Sequence, residues 1–113
     1  MRANLEGAVI RDSLWTAGMK SGVNVQTLAG TTTMPTNPNV MNFLDPGGAT
    51  RILLLPPEVK GLMLIIVNTA DAAEDLTVKE DSNTTTIGTI SQNEMAILVC
   101  NGTTWFIGVG TTT

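Results

Sequence analysis

Five carboxylates, Asp71, Glu74, Asp75, Glu80 and Asp81, crowd into the stretch DAAEDLTVKED, and no other part of the 113-residue chain gathers titratable groups so densely. Oxygen ligands at that density could hold a hard cation such as calcium. The spacing, however, lacks the alternating oxygens and the turn glycine of an EF-hand loop, so the stretch reads as a solvated acidic loop. Asp45 stands directly before Pro46-Gly47-Gly48 and reads as a turn residue rather than a catalytic acid.

The remaining residue types exclude more than they offer. The chain has no histidine, which removes the commonest general base, the commonest zinc ligand and every serine–histidine or cysteine–histidine nucleophile. Cys100 is the sole cysteine, so there is no internal disulfide framework. Among its neighbours Ile97, Leu98 and Val99 it should behave as a small hydrophobe. Glycines never form a phosphate-cradling loop ahead of a helix. Two tryptophans, two phenylalanines and no tyrosine make no stacking platform for single-stranded nucleic acid. The expectation is a protein that is not an enzyme, with no catalytic residues, no cofactor and no metal site, whose function lies in its surfaces.

Composition narrows the class of surface. Hydrophobic residues make up 42% and charged residues only 14% of the chain, against a usual charged share of roughly 25%. Eighteen threonines and eleven glycines fill the polar quota, and threonine suits a solvated strand because its β-branch favours the pleated backbone. The net charge is −4, so neither nucleic acid nor an anionic membrane is an expected partner. The charge is uneven: residues 1–35 carry Arg2, Arg11 and Lys20 against Glu6 and Asp12, and residues 36–113 carry three basic and eight acidic groups. Met1 to Glu6 has no apolar run behind it, so no signal peptide is expected, and no stretch approaches the ~20 apolar residues of a membrane helix.

These surfaces must be built by β elements. Residues 1–35 read as an N-terminal arm, with a weak helix from Asn4 to Leu14 and a first short strand in NVQTLAG. TTTMPTNPN reads as a linker or an irregular edge because of its two prolines. From residue 36 a β domain is predicted, with strands in VMNFLD, TRILLLP, LMLIIVNT, LTVKED, TIGTIS, EMAILVC and TTWFIGVG, separated by turn residues about every ten positions. Asn101-Gly102 suits a two-residue type I′ turn, which would pair Cys100 with Thr103, Leu98 with Trp105 and Ile97 with Phe106. The whole predicts an all-β, antiparallel sandwich or small barrel of seven or eight short strands.

Four of these strands, at 52–55, 62–67, 95–100 and 105–109, are apolar on both faces. Antiparallel sheets normally wet one face. Either another copy of the chain covers the second face, or the strands are central and the arm caps them.

From Asn42 to Gly110 the sequence resembles a module of tailed-bacteriophage structural proteins. The resemblance lies in the LDPGGATR opening with its following LP, the apolar strand ending in VNTA, the TIGTI strand and the closing NGTTW hairpin. The module is similar to the trimeric domain of small head decoration, or cement, proteins, and also occurs in fibres and appendages. It implies a jelly-roll-like sandwich and a homotrimer seated on the major capsid protein at the outer surface of the virion, assembled in the host cytoplasm. A chain that starts at Met1 and ends shortly after the module suits a stand-alone decoration subunit. With the family's usual N-terminal grip, Arg2, Leu5, Arg11 and Trp15 become the expected capsid contacts. Leu64, Ile66, Leu98 and Phe106 become expected trimer contacts, although the sequence does not decide which strand parity faces a partner. The alternative reading is a receptor- or glycan-binding tip of a fibre or spike.

Overall fold

A computed structural model of the protein describes residues 20–113. Nine strands run in order through these residues: β1 (Val23–Thr27), β2 (Thr32–Thr33), β3 (Met41–Asp45), β4 (Arg51–Leu54), β5 (Met63–Asn68), β6 (Leu76–Lys79), β7 (Thr86–Ile90), β8 (Glu94–Cys100) and β9 (Trp105–Thr111). There is no helix among the described residues, and the fold is all-β. One sheet has five strands in the order β1-β3-β5-β8-β9, and the other has four in the order β2-β4-β6-β7. The expected Asn4–Leu14 helix lies outside the described residues.

The sandwich is not antiparallel throughout. Four of its seven strand pairings are parallel, β1–β3, β3–β5, β2–β4 and β4–β6, and three are antiparallel, β5–β8, β6–β7 and β8–β9. The chain passes from one sheet to the other after each of its first five strands, so each strand stacks beside the one two places earlier. Parallel neighbours need a crossover between them, and here the crossover is the intervening strand of the opposite sheet. The DPGG turn is therefore a corner between the two sheets. Its Gly47 has φ +79°, and a Cβ there would also strike the Leu28 carbonyl.

The stacked coils absorb residues that the sequence assigns to the arm. β1 pairs with β3 from Val23↔Met41 to Thr27↔Asp45, and β2 pairs with β4 at Thr32↔Leu53 and Thr33↔Leu54. Leu28 and Met34 are buried in the common core. Residues 23–34 thus pair with β3 and β4 and contribute Leu28 and Met34 to the common core.

Alternation places the core between the sheets. Leu44, Leu64, Ile66, Ala96, Leu98 and Trp105 point inward from the five-stranded sheet, and Leu53, Leu55, Leu76, Val78 and Ile90 face them. LTVK behaves as predicted, with Leu76 and Val78 buried and Thr77 and Lys79 outward. At full burial each large aliphatic side chain contributes ~1.5–3 kcal/mol. Gly88 gives room for the opposite edge, because a Cβ there would lie 3.0 Å from Ile107 Cδ1.

Two buried asparagines fasten the layers. Asn68 is 3% exposed; its Nδ2 donates to the carbonyls of Glu74 and Ile90, both at 2.9 Å, and its Oδ1 accepts from the Ala70 N–H at 2.9 Å. Asn42 donates to the Asn39 carbonyl at 2.9 Å and accepts from Asn24, its neighbour in register, at 3.4 Å.

The last hairpin differs from its predicted register. Cys100 pairs with Trp105, Leu98 with Ile107 and Ile97 with Gly108, so the loop has four residues. Asn101 Oδ1 accepts from the N–H groups of Thr103 (3.0 Å) and Thr104 (2.8 Å), and only Gly102 takes positive φ. The side-chain cap replaces the type I′ turn. The shift is two residues, so every side chain stays on its predicted face.

A candidate interaction surface

The outer face of the five-stranded sheet is apolar from edge to edge. Three rows cross it in register: Met63, Val99 and Phe106; Val23, Met41, Ile65, Ile97 and Gly108; Val25, Phe43, Val67, Met95 and Gly110. Val25 is 76% exposed, Phe106 53% and Ile97 49%. The first polar row, beginning Thr27 and Asp45, lies at one end. The outer face of the four-stranded sheet is different in kind. It carries Ile52, Thr77 and Thr89 in one row and Thr33, Leu54, Lys79 and Thr86 in the next. Threonines and a lysine make that face compatible with water.

The size of the apolar face sets what it can do. Five strands span about 19 Å between their outer axes, and three alternate positions span roughly 13 Å along them. With side-chain margins this is a patch of several hundred Å², at the upper end of what a soluble monomer shows. A standard protein–protein interface takes ~800 Å² from each partner. The patch can therefore form the centre of an interface but needs flanking surface to complete one.

The predicted contacts divide by parity. Leu64, Ile66 and Leu98 have no exposed surface and face the opposite sheet within the chain. They belong to the core, and the outward residues of the same two strands are Met63, Ile65, Ile97 and Val99. Phe106 is on the outer face. Arg2, Leu5, Arg11 and Trp15 lie outside the described residues. Sequence reasoning missed Val23, Val25, Met41 and Phe43 as parts of one surface. A signal was present in the repeated pattern Val23-Asn24-Val25 and Met41-Asn42-Phe43, in which the polar residue is the inward one.

The acidic stretch is split by the fold. Carboxylate oxygens of Asp45, Asp71 and Glu74 lie within 4.8 Å of one another. The Gly47 N–H donates to Asp45 Oδ1 at 2.9 Å, and the Gly48 N–H donates to Glu74 Oε1 at 3.1 Å. Two loops, 45–48 and 71–75, are thereby joined into one surface feature, and backbone donors already occupy two of its oxygens. Glu80 belongs to a different turn. There the Ser82 hydroxyl, followed by that of Thr84, donates to Glu80 Oε1 at 2.6 Å, and these bonds hold the carboxyl below the ordinary glutamate range.

Comparison with protein-family models, with curated proteins and with solved structures gave no match.

Proposed function

We propose that this chain is a capsid decoration protein of a tailed bacteriophage, binding the outer shell as a homotrimer and stabilising contacts between neighbouring capsomers. The observation that carries the proposal is the apolar outer face of the five-stranded sheet. Water is a poor cover for three consecutive rows of valine, methionine, isoleucine and phenylalanine, and association removes that surface from solvent. The threonine-bearing face of the other sheet is suited to remain wet. The number three, the phage shell and the jelly-roll-like relationship come from the resemblance of residues 42–110 to head decoration proteins.

In this reading Met63, Ile65, Ile97, Val99 and Phe106 lie at the centre of the subunit interface. Arg2, Leu5, Arg11 and Trp15 are the proposed contacts with the major capsid protein, and the two arginines suit carboxylates on the shell. The joined loops 45–48 and 71–75 are a second candidate grip. Neither nucleic acid nor membrane is a partner, and no reaction is catalysed.

Light scattering combined with binding to empty capsids tests the proposal. The expected mass is three times the 11.9 kDa of one chain, with saturable binding to shells. A monomer at micromolar concentration, or binding to a glycan array in place of shells, would contradict it.

A further inference from the structure

At the β3–β5 side of the apolar face lies a groove of about 210 Å³ lined by Lys20, Ser21, Val40, Met41, Met63 and Ile65. Register explains it. β3 begins at Met41, opposite Ile65, so Met63 extends β5 one outward position beyond the end of its neighbour and leaves a gap beside it. On the other side of the same face stands a knob. The outward positions of β9 are Phe106, Gly108 and Gly110, so one ring rises beside two residues that have no side chain. At 53% exposure, Phe106 is the most exposed aromatic residue among the described residues. We infer that Phe106 of one copy seats in the Met41–Met63 groove of a neighbouring copy.

Size, chemistry and placement agree. An apolar cavity of ~150 Å³ holds benzene, so the groove can take a phenyl ring. The thioethers of Met41 and Met63 make favourable contacts with aromatic rings. Phe106 cannot fill the groove of its own chain, because β9 lies two strand spacings, ~10 Å, from β5, with Val99 between them. Phe106 and Met63 stand in one row, so knob and groove lie at the same height along the strands. Rotation about an axis parallel to the strands keeps that height and carries the one toward the other. A contact between different parts of two copies is the type that closes into rings. It also extends the flat face, which falls short of a standard interface. An aromatic side chain buries ~150–250 Å² when fully covered, and about half of Phe106 is still uncovered in the single chain. The inference rests on the reading of this face as the subunit interface, and it names the pair of features that sets the register of that interface.

Thiol cross-linking in the full chain provides the test. Ile65→Cys combined with Gly108→Cys leaves the ring and both methionines in place, and a side chain at Gly108 meets open space. Treated with a short bifunctional thiol reagent, the double variant should give covalent trimers on a denaturing gel. Bridging within one chain leaves the mass unchanged. Each single variant, and the parent with its buried Cys100, should run as a monomer. Phe106→Ala should weaken association about tenfold or more on dilution, as loss of a central aromatic anchor does. An assembled double variant that yields no cross-linked species overturns the inference and leaves the oligomer reading standing. Cross-linking of Gly108→Cys alone would set β9 against β9, and unchanged association of Phe106→Ala would leave the ring without a role; either overturns the inference too. Covalent dimers from a protein with the native mass of two chains would uphold the contact and sink the number three. A parent that is monomeric at micromolar concentration sinks both.

Discussion

Ile97 and Leu98 are adjacent on β8 and face opposite ways, so the same substitution at each separates assembly from folding. Ile97 is 49% exposed in the single chain, and Leu98 is 0% exposed. Complete burial of an isoleucine side chain is worth ~1.5–3 kcal/mol, so the half still exposed leaves ~1 kcal/mol to be gained at a subunit contact. An aspartate there forfeits that gain and strands a charge in an apolar interface, at a further cost of about 3–5 kcal/mol. The combined loss of about 4–6 kcal/mol corresponds to association roughly a thousandfold to ten-thousandfold weaker at each contact. Ile97→Asp should therefore give a folded monomer by light scattering and native mass spectrometry, with an unchanged β-sheet circular dichroism spectrum. Leu98→Asp should prevent folding altogether. Thr89→Asp, on the outer face of the four-stranded sheet, should leave the mass as it was. If Ile97→Asp keeps the mass of the parent oligomer, the apolar face is not the subunit interface.

Three other substitutions or conditions test separate parts of the structure. Asn68→Leu should destabilise the fold by ~3 kcal/mol or more in chemical denaturation, because it leaves two carbonyls and one N–H without partners and each buried orphan costs ~1–3 kcal/mol; a change under ~1 kcal/mol would show that water replaces the side chain. Glu80 titrates below the ordinary glutamate value of about 4.3, so its contribution to stability is present above that pH and is lost as pH falls through the lower folded value. Removing its donors with Ser82→Ala and Thr84→Ala should raise its carboxyl pKa toward the ordinary value by NMR titration, and an unchanged value would refute the assigned cause. Chelator and reductant should both leave the melting temperature unaltered, since backbone N–H groups already occupy an oxygen of Asp45 and of Glu74 and Cys100 is a buried free thiol; a chelator-induced drop of more than a few degrees would establish a cation at that cluster.

Strand positions were legible in the sequence because their signals are local. LTVK alternates, turn residues fall between the apolar runs, and MNFLD, MLIIVN and EMAILVC appear close to their predicted limits. Beyond the β8–β9 hairpin, pairing was not legible, because the partner of a strand lies far along the chain. DPGG reads locally as a turn, which leaves open where the chain goes next, and it sends the chain from β3 across to the other sheet. The parallel stacking does leave a trace. Residues 23–35 and 41–56 share the inward asparagines Asn24 and Asn42 and the endings Met34-Pro35 and Leu55-Pro56, with the Met34 N–H donating to the Leu54 carbonyl at 2.9 Å. Short, unequal connections hide that repeat from a fixed-period search. The doubly apolar strands announced an uncovered face, but only the register showed that β5 lies beside the β8–β9 hairpin and that β1 and β3 extend the same surface.

Imaging the assembled particle by electron cryomicroscopy tests the capsid proposal most directly. The account predicts three-lobed densities in hundreds of copies over the outer shell, each straddling neighbouring capsomers, with the five-stranded sheets turned toward one another. Density confined to a few fibre or spike tips, or absent from the particle, would contradict it.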